Sequence, residues 1–202
     1  MKKIYMIAVL AIFCLTANAQ KARHLSGDIT IQPMIGVSEG ILSGKYNNFI
    51  FRSDDPRTGL TIGAEGEYFT NTRNLSLTAG LLYTQQGWMG KGDGPQTTKL
   101  NFINVPLMVN FYVLKGLALK LGLQLGFRVS ATEGNESVGD LYEGFNLGLP
   151  IGVSYEFKSP ITLDLRYIPA LTPINKDSNS DWKMRSDALT LTIGYKFELF
   201  TL

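Results

Sequence analysis

Ten charged side chains in this chain bear on chemistry, and all fall in runs of alternating apolar and polar residues. They are the acids Glu65, Glu67, Glu156, Asp164 and Glu198 and the bases Lys120, Arg128, Lys158, Arg166 and Lys196. Glu65 with Glu67, or Asp164 beside Glu156, has the makings of a general acid/base pair, one group giving a proton while the other takes one. With as many bases on neighbouring runs, the stronger expectation is an ion network that neutralises itself. Other chemistries lack their residues. The single histidine, His24, precedes the first run, so no Ser-His-Asp site or histidine metal cluster falls in the body of the chain. The single cysteine, Cys14, lies in an N-terminal apolar stretch, leaving no thiolate nucleophile, disulfide or cysteine metal site beyond it. Asp54-Asp55 and the acids from Asp177 to Asp181 lack the ligand spacing of a calcium loop. The glycines from Gly87 to Gly94 have no strand-to-helix phosphate cradle around them. No catalytic, cofactor or metal site is expected.

The elements that position these charges are strands. From Leu117 to Val129 every second residue is large and apolar, while Ala118, Lys120, Gly122, Gln124, Gly126 and Arg128 fill the places between. Successive strand side chains point to opposite faces, so such a run has one greasy and one small or polar wall. A helix would spread the same leucines around its whole circumference. Similar alternation occupies Ile29 to Val37, Leu60 to Tyr68, Leu75 to Tyr83, Ile103 to Phe111, Leu149 to Phe157, Ile161 to Tyr167 and Leu189 to Leu199, eight runs in all. Their connections alternate between long polar segments (39–58, 86–98, 132–146 and 170–187) and short turns (71–74, 114–116 and 158–160).

Met1-Lys2-Lys3, an apolar run and Ala17-Asn18-Ala19 read as a secretory signal over residues 1–19. A short segment, 20–27, and a single β-domain, 28–202, follow. The formal charge of +2 includes the signal's lysines, so the remainder is near neutral and nucleic acid is not an expected partner. Long loops at one end and tight turns at the other fit an eight-stranded antiparallel up-and-down transmembrane β-barrel of the outer membrane. Both termini and the turns would then be periplasmic and the loops extracellular. Tyr68, Phe111, Tyr155, Phe157, Tyr195 and Phe197 would close the strands at the turn end as an interfacial girdle. A soluble lipocalin-like barrel, leucines inward around a ligand, is the competing arrangement. Glycines on the polar wall, among them Gly63, Gly122, Gly152 and Gly194, suit a narrow interior and favour the membrane barrel.

The run from Lys99 to Tyr112, KLNFINVPLMVNFY, resembles the K-L-x-[YF]-[IL]-x-[IV]-P-L-L-[LV]-x-[YF] strand of the PorT-like outer-membrane β-barrel proteins. The resemblance implies an eight-stranded barrel; some relatives serve a protein secretion and gliding apparatus. Asn104 and Asn110 stand where relatives often carry an acidic residue and a lysine, so a charge pair made there by relatives is absent.

With the polar wall inward, the ten charges meet in a lumen just wide enough for its own side chains and plug it. Most fall near the turn end, whereas Arg128 stands alone near the loop-end mouth. In the loops, Tyr46, Phe49, Phe51, Trp88, Tyr142 and Trp182 place aromatic groups where a contact surface would lie. The expected role is structural, adhesive or complex-scaffolding, with membrane lipid and other envelope proteins as partners and no enzymatic activity. A narrow small-solute channel and a lipid-modifying barrel enzyme are the alternatives.

Overall fold

The computed structural model describes residues 26–46, 49–52, 56–72, 74–92, 94–134, 136–176 and 182–201. Residues 1–25, Cys14 and His24 among them, Asp54-Asp55 and the acids at 177 and 181 lie outside the described residues. The strands are β1 (Asp28–Tyr46), β2 (Phe49–Arg52), β3 (Arg57–Phe69), β4 (Leu75–Gly92), β5 (Gly94–Leu114), β6 (Leu117–Glu133), β7 (Glu136–Ser137), β8 (Phe145–Gly148), β9 (Ile151–Glu156), β10 (Ile161–Ile168), β11 (Trp182–Tyr195) and β12 (Phe197–Thr201). A 3-10 turn, Gly139–Leu141, follows β7.

Eight of these close a ring in the order β1-β3-β4-β5-β6-β9-β10-β11, with β11 returning to β1. Every pairing is antiparallel, and closure leaves no exposed sheet edge within the wall. The remaining strands extend this ring. β2 pairs with the upper part of β1, β8 continues β9 along β6, and β12 continues β11 along the foot of β1. The sixth wall strand starts at Phe145, inside what reads as a loop in the sequence, and breaks at Pro150, which has no N–H to give.

The two faces separate as two solvents would demand. Ile35, Val37, Leu81, Leu107, Leu121, Leu123 and Ile193 are exposed on the outside, while Thr30, Thr61, Ser76, Asn104, Lys120 and Thr192 are buried within. An aqueous exterior would make that apolar belt costly, whereas lipid makes it favourable. The leucine-inward arrangement is therefore not the one this chain adopts. Near the turn end Tyr155 packs edge-on against Phe157 at 4.9 Å and Tyr195 against Phe197 at 4.6 Å, forming the girdle where the sequence places it.

The long connections are less loop-like than their composition suggests. β1 runs on to Tyr46, opposite Trp182, and β4 and β5 stay paired to Gly92 and Gly94. Above the lipid-facing belt neither face must be greasy, so pairing continues after alternation fades.

Candidate functional site

The charged residues converge in the lower half of the lumen as two stacked layers. In the upper, Arg166 on β10 reaches Glu65 on β3 with both terminal nitrogens, Nη2 lying 2.7 Å from Oε2. Its Nε and Nη2 donate to Asp164 at 2.5 and 2.8 Å. Lys120 on β6 closes the group, 2.8 Å from Asp164 and 3.3 Å from Glu65. Strand pleat explains the selection, since 164 and 166 share a parity on β10 and Lys120 and Glu65 are inward on strands that curve round to face them.

In the lower layer Lys196, just past β11, bridges Glu67 at 2.8 Å and Glu156 at 2.9 Å and lies 5.4 Å over the Phe69 ring. The other oxygen of Glu67 accepts from Tyr112 Oη at 2.7 Å, Asn110 Nδ2 at 2.9 Å and Ser76 Oγ. Asn110, a neutral amide, is thus a hydrogen-bond donor to this layer. Tyr112, which alternation alone does not mark as a lumen residue because it is aromatic, shares Asn110's parity two residues further along β5, and that parity is the signal for it.

Three of the ten charges lie elsewhere. Lys158 is exposed in the turn after β9, because inward parity holds only while the strand lasts. Glu198 is exposed at the rim, on β12 beyond the break after Tyr195 and opposite a register shift between Ile29 and Thr30. Arg128 does not stand alone in the mouth. It donates to the carbonyls of Gly139 at 2.9 Å, Tyr142 at 3.0 Å and Glu143 at 3.0 Å, tying down the segment between β7 and β8.

Above the charges Gln86, Asn104, Gln124, Asn146 and Ser186 surround a cavity of about 10 Å³, room for one water at most. Higher still, Leu42, Trp88, Leu100, Phe102, Ala131 and Ile174 form a buried apolar cluster against which Val138, Tyr142 and Met184 pack. Trp88 meets Tyr142 edge-on at 6.1 Å. Burial and then the Glu133 carboxylate raise the Tyr142 phenol above its ordinary value, against a hydrogen bond with Thr98 that lowers it. Trp88 and Tyr142 are therefore parts of a lid within the mouth, not an outward contact surface. Tyr46, Phe49, Phe51 and Trp182 are placed by backbone register only.

The carboxylates of Glu65, Glu67, Glu156 and Asp164 are each engaged by Arg166, Lys120 or Lys196. The upper layer is balanced, two acids to two bases, while the lower sets two carboxylates on one ammonium, and together their side chains occupy the lower bore.

A polar, filled interior inside a lipid-facing ring is the arrangement of a bacterial outer-membrane protein, and the sequence agrees. The model of the outer membrane protein beta-barrel domain family matches residues 18–176. The chain belongs to that family. No curated protein matches it. Among solved structures, Neisserial surface protein A superposes with a TM-score of 0.51 at 18% identity, covering 84% of this chain and 97% of its own. The attachment invasion locus protein of Yersinia pestis superposes at 0.50 with 16% identity, covering 86% of this chain and 100% of its own. At such identities the likeness is one of fold. Family membership and the exposed apolar belt together make the outer membrane the setting in which this lumen works.

Proposed function

We propose that this outer-membrane barrel is a closed, non-enzymatic element of the envelope, acting through its loops or outer wall in a structural, adhesive or scaffolding role. The observation that carries the reading is the filled bore, with two charge layers, an amide layer and an apolar lid stacked between turn end and mouth. Met89, Leu141 and Leu171, exposed around the loops, support a contact surface for another envelope protein. In this reading residues 1–19 direct export, both termini face the periplasm, the loops face outward, and the chain sits among PorT-like barrels.

Planar-bilayer recording on the purified chain tests the closed bore. The expected trace has no discrete openings. A stable open pore in the unmodified protein would put the small-solute channel, the alternative, in its place.

A further inference from the structure

Two exposed lysines at the turn end lie beneath a hollow in the outer wall, and the lumen uses neither. Lys115 is in the turn between β5 and β6, and Lys158 in the turn between β9 and β10. These turns are neighbours, since the Glu156 N–H donates to the Gly116 carbonyl at 2.7 Å. Among the described residues neither lysine forms an ion pair. Of the acids at this end, Glu156 holds Lys196 at 2.9 Å, Asp28 is buried at the foot of β1, and Glu198 stands at the rim on β12 without an ion pair to Lys158.

Above these turns the wall carries a recess of about 890 Å³, lined by Val109, Phe111, Leu119, Leu121, Val153 and Leu165. A ring of strands is convex outward, so a hollow in it has a local setting. It lies beside the break at Pro150, where β6 leaves β9 after Leu121 and Ile151 and takes up β8 at Gln124 and Gly148. Gly122 and Gly152 border it with backbone alone. Leu119 and Leu121 are exposed on its flank, whereas Val153 and Leu165 are only half-exposed. Lys120 also borders it, with its ammonium turned inward to Asp164 at 2.8 Å. The outward, odd-numbered positions of β5 from Val105, of β6 to Leu125, of β9 and of β10 hold only apolar residues and tyrosine, so no carboxylate stands between the lysines and the recess.

We propose that the recess and the two lysines form one site for an anionic phospholipid, with its acyl chains in the recess and its phosphate on Lys115 and Lys158. The recess opens within the lipid-facing belt, so acyl chains reach it without leaving the bilayer, and its volume falls in the range of about 300–1,000 Å³ that encloses a small ligand. The ammonium groups supply the charge complement that selects an anionic headgroup over a neutral one. Height agrees. Lys115 lies four residues below Leu119, which at barrel tilt is roughly 10 Å. Between them Tyr155 and Phe157, packed edge-on, mark the hydrocarbon boundary as interfacial aromatics do. The lysines therefore stand in the headgroup layer, about 5–8 Å deep, where their long stems reach a phosphate. The site requires only that the barrel span a membrane, and it holds for either leaflet.

The test is native mass spectrometry of the full-length chain in detergent with phosphatidic acid, phosphatidylcholine of the same acyl chains, or inorganic phosphate. Phosphatidic acid should be retained over phosphatidylcholine, and inorganic phosphate at equal concentration should not displace it. In K115Q/K158Q that preference should fall roughly twenty-five-fold, from about fivefold for each base removed near an anionic surface. V153W, which fills the recess, should lower retention of both lipids about tenfold, the loss expected when two methylenes are excluded. V37W, on the far wall, should match the unmodified protein. If K115Q/K158Q loses its heat-dependent gel shift, K115Q and K158Q singly carry the same test at about fivefold each; if V153W loses it, V109F takes its place. Equal retention of both lipids, an unchanged K115Q/K158Q or V153W, or displacement by inorganic phosphate would overturn the proposal. So would a dimer mass that V153W abolishes, since a second copy would then fill the recess. E198Q should raise retention no more than about twofold, the weight of one exposed charge. A larger rise would make Glu198 the partner of Lys158 and also overturn the proposal.

Discussion

Arg166 gathers carboxylates from two strands on opposite sides of the ring, and with Glu65 and Asp164 it is almost fully enclosed, at 3%, 3% and 2% exposure. Removing one partner of such a buried group leaves charge without compensation, at a cost of about 3–5 kcal/mol. R166M should therefore lower the denaturant midpoint of the barrel in lipid vesicles by that equivalent. R166M/D164N should recover part of the loss, because the remaining Glu65 carboxylate keeps Lys120 as its counter-charge. K158M and E198Q, at exposed positions, should stay within about 0.5 kcal/mol of the unmodified protein. A large effect from either would return those residues to the plug. The contrast also marks what alternation can and cannot reveal. Parity found Glu65, Glu67, Lys120, Glu156, Asp164 and Arg166 because each lies within a strand, and Lys196 because it is only the first residue past β11. It misplaced Lys158 and Glu198, which lie past a strand end and a break, where side-chain direction no longer follows from counting by twos.

The upper β4–β5 hairpin is the element least legible in the sequence. Gln86 to Thr98 reads as a polar, glycine-rich loop, yet β4 remains paired with β5 and leans across β3 towards β1. Ser38 Oγ donates to the Gln85 carbonyl at 2.5 Å, joining strands that are not neighbours in the ring. Glycine permits the approach. A Cβ on Gly40 would lie 2.6 Å from the Gly87 nitrogen, and one on Gly59 would lie 2.1 Å from the Gln85 carbonyl oxygen. Neither distance is sterically tolerable against backbone, so the hairpin would have to withdraw. That movement would unseat Trp88 from Leu42, Leu100 and Ile174. In a W182F background, which leaves Trp88 as the fluorophore, G40V should shift emission to the red and increase quenching by a soluble quencher. An unchanged spectrum would mean that the lid seats Trp88 without the hairpin's lean. Local composition could not disclose this packing, since the three glycines that make it possible are dispersed over β1, β3 and β4 and acquire meaning only once those strands are side by side.

At the scale of the molecule, ring closure turns local alternation into a sorted interior and exterior. The eight-run pattern and the tight turns were readable because lipid imposes one period along every strand that crosses it. The stacking of charge, amide and apolar layers was only partly readable, because height in the lumen depends on the stagger of strands far apart in sequence. The same architecture makes orientation directly measurable. Cys14 is the chain's one cysteine and lies within residues 1–19, so a C14S background offers a clean site for an introduced thiol. S159C would place it in the turn between β9 and β10, and L141C on the exposed 3-10 turn at the opposite end of the barrel. On intact cells a membrane-impermeant maleimide should label L141C, and it should reach S159C only after the outer membrane is opened. The reverse pattern would turn the barrel over, putting the tight turns outside and the apolar groups around Leu141 in the periplasm. Any partner of the loops would then have to be sought on that side.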